Sequence, residues 1–225
     1  MIKLRIKIKI FLPAALLFCF SFNNCIAQNF EKWETEITAL EKSASVQPVK
    51  RGKYIVFIGS SSIVGWKSLA TNFPNKKILR NGFGGSQTFE VTHFADRLVA
   101  PYNPKQVVIY AGENDIAEGQ SPEKVLADFK VLFNTIRQLN KNIVITFISI
   151  KPSPSRKKFI PQFRKANQLI KDFLAASHKT SYVDIYSVML QSNGQPKPGL
   201  FQLDSLHMVK AGYDLWAKTL QPFLR

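Results

Sequence analysis

Short apolar runs that alternate with longer amphipathic stretches predict an α/β fold of three layers, a five-stranded parallel sheet with helices on both faces. Three observations carry this. The runs YIVFIG (54–59), QVVIYAG (106–112) and NIVITFISI (142–150) are almost unbroken in apolar residues, as strands covered on both sides must be. The segments between them place apolar residues at three- and four-residue steps, one stripe on a helix. Strands that alternate with helices pair in parallel, because each crossover returns the chain to the same end of the sheet. At 225 residues, 45% hydrophobic and 20% charged, the chain can bury a full core without a disulfide or metal staple.

Residues 1–27 read as an export signal. MIKLRIKIK carries four positive charges, at Lys3, Arg5, Lys7 and Lys9, and IFLPAALLFCFSF follows as an apolar run. That run has the length of a signal core and is short for a bilayer span. Small residues at Cys25 and Ala27 predict cleavage after Ala27, leaving Gln28 first. An uncleaved N-terminal anchor is the alternative. The FNNC context of Cys25 lacks the apolar and small residues that favour lipid attachment. The expected location is therefore periplasmic or secreted, with no stable membrane span after cleavage. Both cysteines, Cys19 and Cys25, lie in this segment. Disulfides, thiolate catalysis and cysteine-zinc sites drop out of the remainder.

Four of the 31 basic residues and none of the 15 acidic ones lie in that segment, so the net charge of +16 falls to about +12. Such an excess suits anionic surfaces or polysaccharides. The basic residues are spread along the chain and form no nucleic-acid motif, which argues against a nucleic-acid partner. The one dense cluster, SRKKF (155–159), reads as a loop that could form a basic rim.

Residues 28–52 form a charged, amphipathic lead-in, helical over 29–46, and residues 53–225 a single domain. YIVFIG is the first strand and KKILRN (76–81) the second, followed by a helix between Thr88 and Val99. QVVIYAG is the third strand. SPEKVLADFKVLFNTIRQLN (121–140) then opens with Ser121 as N-cap, Pro122 in the first turn and Glu123 beside it, a strong helix start. NIVITFISI is the fourth strand, IPQFRKANQLIKDFLAASH (160–178) a helix, SYVDIY (181–186) the fifth strand, and MVKAGYDLWAKTLQPFL (208–224) the last helix.

Ligands in such folds sit beyond the carboxyl ends of the strands, where the unusual residues fall. GSSS (59–62), NGFGGS (81–86) and AGENDI (111–116) follow the first three strands, and DSLH (204–207) lies near the C-terminus. Each alone reads as a turn or a helix cap. Together they have one chemical explanation. A serine hydroxyl needs a general base, and histidine titrates nearest neutrality. His207 has a carboxylate, Asp204, three residues before it. His93 falls on a helix face and His178 at the end of another helix. His93 and Asp96 share helical spacing, but two ligands do not make a metal site. Backbone N–H groups at FGGS and the Asn114 amide could hold a developing oxyanion.

These blocks, in this order, resemble those of the SGNH (GDSL-type) hydrolases, over about residues 53 to 223. The resemblance implies a flavodoxin-like fold and ester hydrolysis through an acyl-enzyme. It implies Ser61 as nucleophile, Asp204 and His207 as its partners, and Ser61, Gly85 and Asn114 as the oxyanion hole. No cofactor and no metal are implied. Ser60 stands where the family commonly has Asp, so the serine triplet leaves Ser62 as a rival nucleophile. The elbow G-x-S-x-G does not fit, because Ile63 stands at its second glycine. The expected substrate is a short-chain, acetyl-like ester, on a small molecule or a carbohydrate. Trp66, Phe83 and Phe89 could line its pocket, although packing is the more ordinary role for each. A flavodoxin-like domain binding flavin or phosphate at GSSS, and a silent glycan-binding relative, remain the alternatives. The oligomeric state is not legible.

Overall fold

A computed structural model of the protein describes residues 29–45 and 52–225. The expected signal segment lies outside the described residues. Helix α1 (Glu34–Ser45) follows a 3-10 turn at Glu31–Trp33. The chain then runs β1 (Ile55–Gly59), α2 (Ser61–Gly65), α3 (Leu69–Asn72) and β2 (Ile78–Gly82). Next come α4 (Thr88–His93), α5 (Ala95–Leu98), β3 (Gln106–Tyr110), α6 (Glu113–Ala117) and α7 (Pro122–Leu139). It closes with β4 (Val144–Ile148), α8 (Ile160–Ala175), β5 (Thr180–Val183), α9 (Ile185–Val188) and α10 (Lys210–Leu220).

The five strands form one sheet in the order β2-β1-β3-β4-β5, every pair parallel. Side chains alternate between its faces. From β1, Val56 and Ile58 join the core under α1, α4, α5, α7 and α8, while Ile55 and Phe57 join the one under α2, α3, α9 and α10. All four are fully buried, which is why the strand reads as one unbroken apolar run. Trp66 and Trp216, also fully buried, anchor the second core. Replacing either with alanine would cost about 3–5 kcal/mol.

The expected elements are present, several with shifted ends, the last helix spanning Lys210–Leu220 rather than 208–224, and three further differences stand out. The helix foreseen between Thr88 and Val99 is two short helices that break at Phe94 (φ −94°, ψ 6°), whose ring is buried against Phe83. The fifth strand stops at Val183, because the Asp184 side chain accepts the Ser187 N–H and starts α9. Helix α8 ends at Ala175 rather than at residue 178. His178 thus lies in the turn beyond the helix, where its carbonyl accepts Arg137. The start of α7 is as expected, with Ser121 Oγ accepting the Lys124 N–H at 3.1 Å. Among the described residues no helix is long and apolar enough to cross a membrane.

Candidate active site

Strands β2, β1 and β3 end side by side, with Gly82 opposite Gly59 and Gly59 opposite Tyr110. The three loops that follow therefore share one edge of the sheet. Gly59 makes the sharp turn possible: φ is +130°, and a Cβ there would lie 1.9 Å from the Tyr110 carbonyl oxygen. Ser60 N–H then donates to that same carbonyl at 3.1 Å. Of the three serines, Ser60 and Ser62 are buried, at 3% and 2% exposure. Ser61, partly exposed at the first position of α2, faces outward. Its Oγ is 3.2 Å from His207 Nε2.

His207 Nδ1 lies 2.6 Å from Asp204 Oδ2, while Asp204 Oδ1 accepts the backbone N–H of Leu206 and of His207, each at 2.9 Å. The Leu206 N–H, then the His207 ring, hold the Asp204 carboxyl down at about 2. It is ionised at any ordinary pH. The turn that presents this pair needs Ser205 in the left-handed region (φ +56°), which is uncommon outside glycine and asparagine. It is held there by Ser205 N–H donating to Gln202 (2.9 Å) and Ser155 N–H donating to Ser205 (3.0 Å). Both side chains remain reachable, His207 at 37% and Asp204 at 46% exposure.

The loop after β2 turns at Gly85 (φ +69°). Among the described residues neither Gly85 N–H nor Ser61 N–H has an acceptor. Asn114, in the first turn of α6, donates from Nδ2 to the carbonyl of Ser86 at 3.0 Å, which joins the β2 and β3 loops. The structure thus brings together Ser61, His207 and Asp204 as one hydrogen-bonded line, with Gly85 and Asn114 on the adjoining loops. Such a line can move a proton off a hydroxyl, and free N–H groups beside it can receive negative charge.

Two sets of contacts were not foreseen. Glu113 and Lys151 are buried, at 3% and 1% exposure, with 2.5 Å between them. Tyr110 OH and Ser153 Oγ also donate to Glu113, each at 2.5 Å. Burial alone would raise the Glu113 carboxyl, but Lys151 and Arg156 hold it below its ordinary value. The only hint in the sequence was KPSPSR directly after an apolar strand. The second set comes from α1, where Glu36 Oε2 accepts the Gly84 N–H at 3.0 Å.

Of the aromatic candidates, Trp66 and Phe83 are fully buried packing residues, and Phe89 packs on Phe30 with ring centres 6.0 Å apart. His93 stacks flat on Phe30 (3.7 Å, 3°). Among the described residues no three His, Cys, Asp or Glu side chains cluster as metal ligands would.

Comparison with solved structures agrees with the fold. The chain is similar to a Streptococcus pneumonia protein provisionally described as a platelet activating factor, with 21% identity over 87% of this chain and 94% of that one (TM-score 0.75). A GDSL-like lipase from Bacteroides thetaiotaomicron VPI-5482 shares 24% identity over 87% and 96% (TM-score 0.68). A family 3 carbohydrate esterase of Clostridium thermocellum shares 16% over 77% and 97% (TM-score 0.60). No curated protein matches the chain. The sequence profile of the GDSL-like Lipase/Acylhydrolase family matches residues 58–215, and with the three-layer fold and the order of the motif loops this makes the chain a member of that family.

Proposed function

We propose that the chain is an exported serine esterase that removes short, acetyl-like acyl groups, with small molecules or carbohydrates as its alcohol partners. The observation that carries the reading is the line Asp204–His207–Ser61, with contacts of 2.6 and 3.2 Å.

In this mechanism Ser61 Oγ attacks the ester carbonyl while His207 Nε2 takes its proton. Asp204 keeps the Nδ1–H tautomer and stabilises the imidazolium. The carbonyl oxygen becomes an oxyanion held by the N–H groups of Ser61 and Gly85 and by the Asn114 amide. The loss of one such donor lowers turnover about a hundred- to a thousandfold. The carbon–oxygen bond to the alcohol then breaks as His207 returns the proton to the leaving oxygen. Water, deprotonated by His207, attacks the acyl-serine and releases the acid and free Ser61.

The test is hydrolysis of p-nitrophenyl acetate by wild type, Ser61→Ala, Ser62→Ala and His207→Ala. Loss in the first and third variants, with Ser62→Ala retaining activity, is the expected pattern. Full activity in Ser61→Ala or His207→Ala would sink the assignment.

The carbohydrate reading draws support from the likeness to a carbohydrate esterase and from the excess of positive charge, which suits anionic glycans better than a neutral surface would. Export draws support from the basic and apolar segments that open the chain. N-terminal sequencing of protein recovered outside the cytoplasm should start at Gln28.

A further inference from the structure

We propose that Arg156 is a positioning residue of the oxyanion hole: it decides which end of the Asn114 amide faces the reacting carbonyl. The inference rests on the ester-hydrolysis reading of the site. An asparagine amide is nearly symmetric in shape but not in chemistry, since Nδ2 donates and Oδ1 accepts. Only Nδ2 can stabilise an oxyanion; a flipped amide would aim a lone pair at the developing charge.

Two contacts set the orientation. Arg156 Nη2 donates to Asn114 Oδ1 at 2.9 Å, and Asn114 Nδ2 donates to Ser86 O at 3.0 Å. A guanidinium has only donors and a carbonyl only acceptors. Flipping the amide would set donor against donor on one side and acceptor against acceptor on the other. The second Nδ2 hydrogen stays available for substrate.

Arg156 is itself anchored. Its side chain is 19% exposed, and Nη1 lies 3.5 Å from Glu113 Oε1. Glu113 is the residue directly before Asn114, and its carboxylate is locked by Tyr110, Lys151 and Ser153. Lys151, Ser153 and Arg156 all belong to the segment after β4, so one cation of this basic loop is turned inward onto the site. Arg156 lies outside all four motif blocks, GSSS, NGFGGS, AGENDI and DSLH. The pairing is a property of this chain rather than of the motifs.

The experiment measures kcat and KM on p-nitrophenyl acetate for Arg156→Met and Arg156→Lys, each in the wild-type and the Asn114→Ala background. Arg156→Met should lower kcat about 10- to 100-fold with KM within about threefold, a loss no larger than that of removing the amide donor itself. With Asn114→Ala already present, the same change should alter kcat less than about twofold, because no amide remains to orient. Arg156→Lys, which still carries only donors, should recover part of the loss. An unchanged kcat in Arg156→Met, or an equal loss in both backgrounds, overturns the proposal. Should Arg156→Met fail to fold by thermal melting, Arg156→Ala, which also removes the donor, takes its place in the same two backgrounds and is read against the same criteria. Absence of hydrolysis by the wild type would instead remove the hydrolase reading, and full activity of Ser61→Ala would remove Ser61 as nucleophile, so these failures are distinguishable from that of the Arg156 proposal.

Discussion

Glu36 Oε2 accepts the Gly84 N–H at 3.0 Å, so a helix outside the family-matched span 58–215 reaches the residue beside Gly85. The helix is latched in place by charge. Arg97 pairs with Glu34 and Glu41 at 2.7 and 2.8 Å, and Lys32 pairs with Glu90 at 2.6 Å. Trp33 packs edge-on against Phe83, with ring centres 5.2 Å apart. The charged lead-in therefore closes the outer side of the glycine loop.

Glu36→Ala removes the acceptor from an exposed position and leaves the core intact. Turnover of p-nitrophenyl acetate should fall about 3- to 10-fold, the scale of one modest hydrogen bond, with the melting temperature nearly unchanged. A lowered melting temperature with full turnover would make α1 a structural strap only.

Asp204→Asn keeps an oxygen for the Leu206 and His207 N–H groups but can present an N–H to His207 Nδ1. That favours the tautomer with Nε2 protonated, which cannot take the Ser61 proton. A fall in kcat of about 10⁴ is expected, without loss of fold. Activity within tenfold of wild type would show that Asp204 does not orient the ring.

The Asp204 carboxyl is depressed to about 2. Its contribution to stability is therefore fully present above the unfolded value of about 3.9 and is lost as pH falls through the folded one. Because the group is exposed, solvent screening keeps that contribution small. Between pH 4 and 8 its charge is constant, so an acid limb of the rate profile in that window belongs to another group. Carboxyl carbon-13 titration checks this, and an Asp204 midpoint above 3.9 would overturn it.

Lys151→Met leaves the buried Glu113 carboxylate without its closest cation. Breaking a buried pair from one side costs about 3–5 kcal/mol, and the Glu113 pKa should rise as burial goes unopposed. Urea unfolding measures the loss. The double variant Lys151→Met, Glu113→Gln should regain much of it, and no recovery would place the effect in packing rather than charge.

The strands and the long helices were legible because apolar periodicity is local and both cores of a two-sided sheet demand it. The helix break at Phe94 was not, since no proline or glycine marks it. Ser205 gave no sign of its left-handed backbone, as glycine or asparagine would have. The sequence did not show that Glu113 and Lys151 form a buried pair, because it shows a side chain's charge but not its neighbours.

By itself the sequence determined the α/β class, the order of the elements and the four motif loops, all of which depend on residues near one another in the chain. The tertiary structure placed Ser61, rather than its rival Ser62, against a histidine 146 residues away. It also decided which charges turn inward and what α1 covers. Those outcomes depend on how strands that are distant in sequence align at the sheet's edge, and a one-residue slip would have turned a different serine outward.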